Sequence, residues 1–342
     1  MNNVLAEKTI LVTGGTGSIG SGIVRQALKQ GATKVIVFSR DEIKHFMMKK
    51  EISDDRLETT VGDVRDLRSV EQVFNKFDIN VIYHAAAMKH VVMCEDFPLE
   101  AAKTNILGTQ NVVDLALRYK IPKMITISTD KAAYPVNVMG AAKLIAEKIT
   151  LNANKLSRGK QAFSCVRFGN VANSRGSVIP IYIANLLNHK PLQVSDPEVT
   201  RFIMEISDAV KLIIKATEYA QGGEIFILKM KAIRLGDLVD VIVNKITPKF
   251  NISKDGVKVN VTGLITGEKL HEDLINDIES SQLYELGDMY VLLPDNESNG
   301  KYPSMSKVDL PRYTSNIVEL VSREEIEQIV VKYLERLSGL RA

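Results

Sequence analysis

Short β-branched runs alternate with helical patterns through the first half of the chain. Thr9–Thr13, Lys34–Ser39, Leu57–Val61, Val81–His84, Met124–Ser128 and Phe163–Phe168 read as six strands. Ser21–Gln30 reads as the helix after the first strand, and a longer helical pattern runs through Ala101–Tyr119. Such alternation predicts an α/β fold, a doubly wound parallel sheet with helices on both faces. Strands covered on both sides have no wet face, so they should be apolar without a break, as Val35-Ile36-Val37-Phe38 is. After about residue 175 the rhythm loosens. Three of the ten prolines fall in Ile179–Arg201, and Gly222-Gly223, Gly256 and Gly263–Gly267 punctuate the later residues. This predicts a nucleotide-binding domain over 1–175 to which later segments return, and a smaller α+β lobe over 176–322. A terminal helix over 323–342 completes the chain, with its apolar rhythm at Ile326, Ile329, Val330, Tyr333 and Leu337.

Composition narrows the class without supplying chemistry. The 342 residues suit one large domain or two unequal ones, and 45% hydrophobic with 25% charged residues excludes a disordered chain, a collagen-like fibre and a disulfide-stapled miniprotein. No apolar run approaches the ~20 residues of a membrane helix. The most apolar stretch, Val178–Leu187, is interrupted by Pro180 and Asn185. Two cysteines, Cys94 and Cys165, fit a reducing compartment. Lys8-Thr9-Ile10-Leu11-Val12 runs straight into a glycine loop, which leaves no room for a signal peptide and predicts a cytoplasmic protein. With 44 basic and 41 acidic side chains the formal charge is +3, too small and too dispersed for a nucleic-acid partner. His45, His84, His189 and His271 stand at no metal-ligand spacing with the cysteines, so no metal is expected.

The first chemical signal is Thr13-Gly14-Gly15-Thr16-Gly17-Ser18-Ile19-Gly20, lying between a strand and a helix. Glycine at 14, 17 and 20 permits a tight turn and close approach of the backbone to a pyrophosphate. The helix after it turns its free N–H groups and positive dipole end toward the phosphates. A Rossmann-like dinucleotide site is therefore expected. At the end of the second strand an NAD site usually carries an acidic residue for the ribose 2′-hydroxyl. Here Ser39 is followed by Arg40, with Lys44 one helical turn on, a set suited to a 2′-phosphate. NADP is favoured over NAD; the alternative is a solvated basic helix start, with Asp41 adjacent. Asp63 and Val64, after the third strand, are placed to meet the adenine.

Ligands of such sheets bind at the carboxyl ends of the strands, where the fifth delivers Ser128-Thr129-Asp130-Lys131. Short-chain dehydrogenases pair a Ser/Thr there with Tyr-x-x-x-Lys on the next helix, both side chains on one face. Lys143 is present, but Met139 occupies the tyrosine position, and Tyr134 is five residues too early to replace it.

Several motifs then carry a specific resemblance. They are Gly14–Ser18, Phe38-Ser39-Arg40-Asp41-Glu42, Gly62-Asp63-Val64-Arg65-Asp66, His84-Ala85-Ala86-Ala87-Met88-Lys89-His90-Val91 and Ser128-Thr129-Asp130-Lys131-Ala132-Ala133. Val166-Arg167-Phe168-Gly169-Asn170-Val171, Ser174–Pro180, Thr200-Arg201-Phe202 and Gly267-Glu268-Lys269-Leu270-His271-Glu272 continue the series. Together, over about residues 8–320, they resemble the UDP-N-acetylglucosamine 4,6-dehydratases of flagellar-glycan and capsule biosynthesis, extended short-chain dehydrogenases. Methionine at 139 resembles the capsule-type members. Ile265-Thr266 departs from the Arg-Pro of many members, in the uridine-side loop.

The resemblance implies conversion of UDP-N-acetylglucosamine to a UDP-2-acetamido-2,6-dideoxy-4-hexulose. C4 is oxidised by NADP⁺, the C5 proton is removed, water leaves C6, and the stored hydride returns to C6. It assigns the water-loss acid to Asp130, the C5 base to Lys131, the C4 oxygen to Thr129 and the nicotinamide ribose to Lys143. Thr16, Ser18, Ile19, Ala85 and Ala86 would line the cofactor. Lys89, His90, Asn170, Arg175 and Ser177 would meet the sugar, Arg201 the diphosphate and Glu272 the uridine ribose. Membrane-anchored relatives that retain C5 configuration carry N-terminal spans not seen here, which leans toward inversion. Relatives assemble as hexamers or trimers of dimers, so a homo-oligomer with no membrane partner is expected. Two other readings stay open: a UDP-hexose 4-epimerase, expected to keep tyrosine at 139, and a non-catalytic NADP-sensing module.

Overall fold

The computed structural model describes residues 3–174, 176–293, 302 and 304–339. The chain forms two compact units. The first spans Met1–Phe168, Ser207–Lys229 and Leu274–Arg312; the second spans Gly169–Ile206, Met230–Asp273 and Tyr313–Ala342.

In the first unit, strands β1 (Thr9–Thr13), β2 (Lys34–Ser39), β3 (Leu57–Val61), β4 (Val81–His84), β5 (Lys123–Ile127) and β6 (Ala162–Arg167) lie parallel in the order β3-β2-β1-β4-β5-β6. The order reverses between β1 and β4, and a crevice opens at such a switch point beyond the strand ends. The first four strands keep the bounds that the sequence predicts. The last two end one residue earlier, because Ser128 and Phe168 already belong to a turn in which the Asp130 amide donates to the Phe168 carbonyl at 3.1 Å.

The sheet is not parallel throughout. Ile225–Leu228 adds a parallel strand beyond β6, and Met289–Leu292, Leu283–Leu286 and Ser306–Lys307 then continue it antiparallel. One mixed edge on a parallel sheet is common, and its strands come from chain segments that return late.

Helices α1 (Ser18–Lys29), α2 (Glu42–Glu51), α3 (Leu67–Lys76), α4 (Val91–Asp96), α5 (Pro98–Ala102), α6 (Gly108–Arg118) and α7 (Val138–Ser157) connect the strands. Leu11, Ile36, Phe38, Ile82, Met124 and Phe163 of the sheet pack with Val70, Val73 and Phe74 of α3 and Val112, Val113 and Leu115 of α6. Burial of each large apolar side chain contributes about 1.5–3 kcal/mol. Two helix expectations need correction. Helix α1 begins at Ser18, three residues before the predicted start, with Gly17 as its N-cap. The predicted helix Ala101–Tyr119 is three pieces: α5, a π turn at Lys103–Leu107, and α6. The wider turn tucks Thr104 and Asn105 inside, where an unbroken α-helix would have set a different face.

The second unit holds a three-stranded sheet of Lys231–Arg234, Thr200–Met204 and Asn170–Val171, in that order. Val178–Leu187 is one continuous helix, because Pro180 sits in its first turn, where no intrahelical N–H is required. Ile179, Tyr182, Ile183 and Leu186 form its buried stripe. They join Ile326 and Val330 of the helix Arg323–Gly339 in one core.

Candidate active site

The glycine loop leaves β1 in a conformation that only glycine allows. Gly14 has φ +66°, and a Cβ there would stand 2.7 Å from the Ala85 carbonyl carbon and the Ala86 amide nitrogen. The strand ends of β1 and β4 thus touch backbone to backbone, with Ala85 and Ala86 beside the loop. Thr16 is buried, Ser18 and Ile19 are half-buried, and Gly17 is exposed at the start of α1. No side chain caps α1 and no acidic residue occupies its first turn. A tight backbone at a helix start free of acidic side chains fits a dinucleotide pyrophosphate.

At the end of β2, Ser39 Oγ lies 2.8 Å from Thr16 Oγ1 and 2.9 Å from His45 Nε2. Arg40 is half exposed, its guanidinium 3.7 Å from Asp63 Oδ2. Asp63 is engaged chiefly by Arg65, whose Nε and amide donate to its two oxygens at 2.8 and 2.9 Å. Burial pushes the Asp63 carboxyl up, but these bonds and the two guanidinium charges outweigh it and hold the group below its ordinary value. Lys44 pairs with Asp41 at 2.6 Å, and Asp41 also caps α2 by accepting from the Lys44 amide. Val64 is buried, with its carbonyl accepting from Asn111 Nδ2 at 2.9 Å.

Beyond β4, a polar chain that the sequence does not announce fixes the loop. Thr109 Oγ1 donates its only hydrogen to the Asn105 carbonyl at 2.7 Å, so the His84 Nε2 contact at 3.0 Å must be donated by the imidazole. His84 Nδ1 therefore accepts from Thr13 Oγ1 at 2.7 Å. Asn105 in turn accepts from the Met88 amide at 2.8 Å and donates to the Met88 carbonyl at 3.0 Å. The π turn puts Asn105 there; polar residues amid the apolar face of Ala101–Tyr119 were the available signal. Lys89 and His90 come next, on the exposed part of this loop. Burial, then the Lys89 charge, lowers the His90 pKa.

Burial first, and the Lys143 charge second, push the His84 pKa down to about 3. The unfolded chain takes up this proton near pH 6.5, whereas the folded one resists until about pH 3. Stability from this group is thus intact above pH 6.5 and falls through the window down to pH 3, with a slope of up to roughly 1.4 kcal/mol per pH unit. His84→Asn should flatten the acid limb of melting temperature against pH, compared with the parent protein.

At the end of β5, Asp130 is fully buried inside the turn Asp130–Ala132. Its Oδ1 accepts from Thr129 Oγ1 at 2.8 Å, the Lys131 amide at 2.9 Å and Lys131 Nζ at 3.1 Å. Its Oδ2 is buried with no partner among the described residues, as is Ser128 Oγ. Helix α7 is held against this turn by its glycine: a Cβ at Gly140 would lie 2.4 Å from the Lys131 carbonyl oxygen. Lys143, buried on α7, donates to the Ile127 carbonyl at 2.5 Å, and burial lowers its pKa against the pull of Cys165 and Glu147. Met139 is buried in an apolar cluster with Cys94 and Ala101, flanked by Met88, Val91 and Val138. Tyr134 is half exposed under the Arg312 guanidinium. No phenol occupies the position that Met139 holds.

In the second unit, Asn170 is exposed at the head of its strand, opposite Ile203. Ser177 is the N-cap residue of the helix Val178–Leu187, and its buried hydroxyl has no partner among the described residues. Arg175 lies outside the described residues. Arg201 Nη2 donates to Glu268 Oε1 at 2.8 Å, and its Nε stands 3.9 Å from Glu272 Oε1. Glu272 is nearly fully buried, its amide donating to Ser315 Oγ at 2.9 Å. The structure therefore brings Arg201 and Glu272 together and adds Glu268 and Ser315, whose roles the sequence does not signal.

Known proteins share the fold of this chain. The model of a family described as polysaccharide biosynthesis protein matches residues 10–294. An uncharacterized membrane protein of Methanocaldococcus jannaschii is 43% identical over 341 residues, 98% of this chain and 99% of that one. Among the described residues here, no helix is long and apolar enough to cross a membrane. A UDP-glucose 4-epimerase of Rickettsia bellii is 36% identical over 338 residues, 96% of each chain. The solved structure of Pen from Bacillus thuringiensis has a TM-score of 0.87 at 36% identity, covering 96% of this chain and 98% of that one. DesIV, a dTDP-glucose 4,6-dehydratase of Streptomyces venezuelae solved with NAD and TYD, shares the fold, with a TM-score of 0.71 at 18% identity over 96% and 97% of the two chains. The chain belongs to the polysaccharide biosynthesis protein family, on a short-chain dehydrogenase scaffold shared with nucleotide-sugar dehydratases and epimerases.

Proposed function

We propose that the protein is an NADP-dependent UDP-N-acetylglucosamine 4,6-dehydratase, a hydro-lyase of surface-glycan synthesis that inverts C5. The observation that carries this reading is the Asp130–Lys131 pair at the end of β5, joined to Thr129 and backed by an apolar Met139. An acid and a base are both needed to remove water across C5–C6, and both are present within one hydrogen bond.

NADP, when bound, would supply the hydride acceptor for C4 and the hydride donor for C6. Gly14, Thr16, Gly17, Ser18 and Ile19 are assigned to its pyrophosphate, Ser39, Arg40 and Lys44 to its 2′ end, Asp63 and Val64 to its adenine. Ala85, Ala86 and Lys143 take the nicotinamide half. With a ketone at C4 the C5 proton is acidic; neutral Lys131 takes it while protonated Asp130 gives its proton to the C6 hydroxyl, which leaves as water. The pair is then Asp130 carboxylate with Lys131 ammonium, the ion pair seen at 3.1 Å. Inversion needs a proton on the opposite face of C5, so solvent supplies that proton, Lys131 releases its own to solvent to restore the neutral amine, and the proton lost from the C4 hydroxyl recharges Asp130. Thr129 would hold the C4 oxygen by turning its hydroxyl away from Asp130 Oδ1, to which it donates at 2.8 Å. Lys89, His90, Asn170, Arg175 and Ser177 are assigned to the sugar, Arg201 to the diphosphate and Glu272 to the ribose. A cytoplasmic homo-oligomer completes the proposal.

The name of the Rickettsia relative favours a second reading, a UDP-hexose 4-epimerase. Incubation with UDP-N-acetylglucosamine and, separately, UDP-glucose separates the two by mass spectrometry. The dehydratase yields a product lighter by one water from the first substrate; an epimerase yields an isomer of unchanged mass. Ring couplings in the product's NMR spectrum report the configuration at C5.

A further inference from the structure

His45 lies on α2, inside the cofactor's proposed 2′ end, and has no part in the cofactor contacts assigned to Ser39, Arg40 and Lys44. It is 4% exposed and sits directly behind Ser39. Its Nε2 is 3.1 Å from the Ser39 carbonyl oxygen and 2.9 Å from Ser39 Oγ. A carbonyl oxygen can only accept, so Nε2 must carry the hydrogen; a bare ring nitrogen would face the carbonyl lone pair to lone pair. Burial is the main force lowering the His45 pKa, and in the neutral ring the hydrogen stays at Nε2 under the hold of that carbonyl.

The donor direction then propagates outward. Ser39 Oγ, shared with the same N–H, is an acceptor toward His45 and keeps its own hydrogen to give away. Thr16 Oγ1, 2.8 Å further on, is the next hydroxyl in the line. Whichever of the two donates to the other, the pair retains one hydrogen for a ligand. A phosphate accepts hydrogen bonds and donates none at neutral pH, whereas a free ribose 2′-hydroxyl is best held by an acceptor such as a carboxylate. A hydroxyl pair whose hydrogens are driven outward suits the phosphate. Arg40 follows Ser39 directly and supplies the charge.

We infer that His45 is a positioning residue for cofactor choice: its Nε2–H orients the Ser39 and Thr16 hydroxyls as donors and so raises selectivity for a nucleotide bearing a 2′-phosphate. This rests on the NADP reading. Calorimetric titration of the full-length protein with adenosine 2′,5′-bisphosphate and with adenosine 5′-monophosphate measures the selectivity without turnover. The parent protein should prefer the bisphosphate. His45→Leu should reduce that preference roughly tenfold or more, by losing one hydrogen bond in a charged network, and His45→Gln, whose amide N–H can reach the same acceptors, should restore most of it. In a Ser39→Ala background the His45→Leu effect should vanish, which a packing role would not produce. If His45→Leu does not fold, His45→Met takes its place. An unchanged preference in the folded apolar variant, or an effect that persists without Ser39, overturns the inference. A parent protein with no preference for the 2′-phosphate overturns the NADP reading itself, and the inference with it.

Discussion

Lys131→Ala should lower turnover by roughly 10²–10⁴-fold, the usual worth of a positioned acid or base, while nucleotide binding stays intact. The loss is large because no neighbour can substitute. Lys143 is buried and committed to the Ile127 carbonyl, and on this proposal Asp130 is already the acid for water loss and cannot serve as the C5 base as well. The fold should survive the change. The packing of α7 uses the Lys131 carbonyl, not its side chain, and Asp130 keeps two of its three Oδ1 donors. The variant should also stop washing solvent deuterium into C5, because on this proposal removal of the C5 proton by Lys131 must precede any exchange with solvent. Asp130→Asn separates the two roles. It keeps C4 oxidation possible but removes the acid for water loss, so nicotinamide absorbance at the reduced wavelength should build up on adding substrate. Near-normal water loss by Lys131→Ala, followed by mass spectrometry, would falsify the base assignment.

What the sequence revealed and what it hid divide along a physical line. β1 to β4 were legible to the residue, because each is a short β-branched run closed by glycine or polar residues within a few positions. The glycine loop after β1 and the turn at Asp130-Lys131 were legible for the same reason, being contiguous segments set by local residues. The π turn was not, since it is set by Asn105 reaching the Met88 backbone 17 residues away. The antiparallel edge was missed because its strands, Leu283–Leu286 and Met289–Leu292, belong to Leu274–Arg312, a segment that rejoins the first unit after Met230–Asp273 of the second. His45 reads as one polar residue on a helix until α2 is seen to turn it behind Ser39. Arg167 is the extreme case: it reads as a stray charge in an apolar strand, and its partners lie 20 and 112 residues away.

Arg167 also carries the largest expected effect on stability. It is completely buried, and each of its five N–H groups has an acceptor: Glu147 takes two, Glu279 takes two, and the Leu274 carbonyl takes one. Burial works against its charge, but the two carboxylates outweigh that and hold its pKa above the ordinary arginine value. Arg167→Met removes the guanidinium that bonds both Glu147 and Glu279 and strands two carboxylates beside the sheet. Leaving buried charge uncompensated costs about 3–5 kcal/mol, which should lower the melting temperature by roughly 2–4 °C per kcal/mol for a domain of this size. Adding Glu147→Gln and Glu279→Gln to Arg167→Met should recover much of the loss, since a buried ion cluster is worth little net once all its charges are removed together. Activity should fall as well. Glu279 and Leu274 anchor the segment on which Asn276 Nδ2 donates to the Ala133 carbonyl, directly after the Asp130–Ala132 turn. Freed from Arg167, that segment no longer fixes the turn, so kcat should drop in the triple variant even where its melting temperature recovers. A triple variant that regains both together would show that Arg167 supports the fold and has no part in placing the proposed catalytic pair.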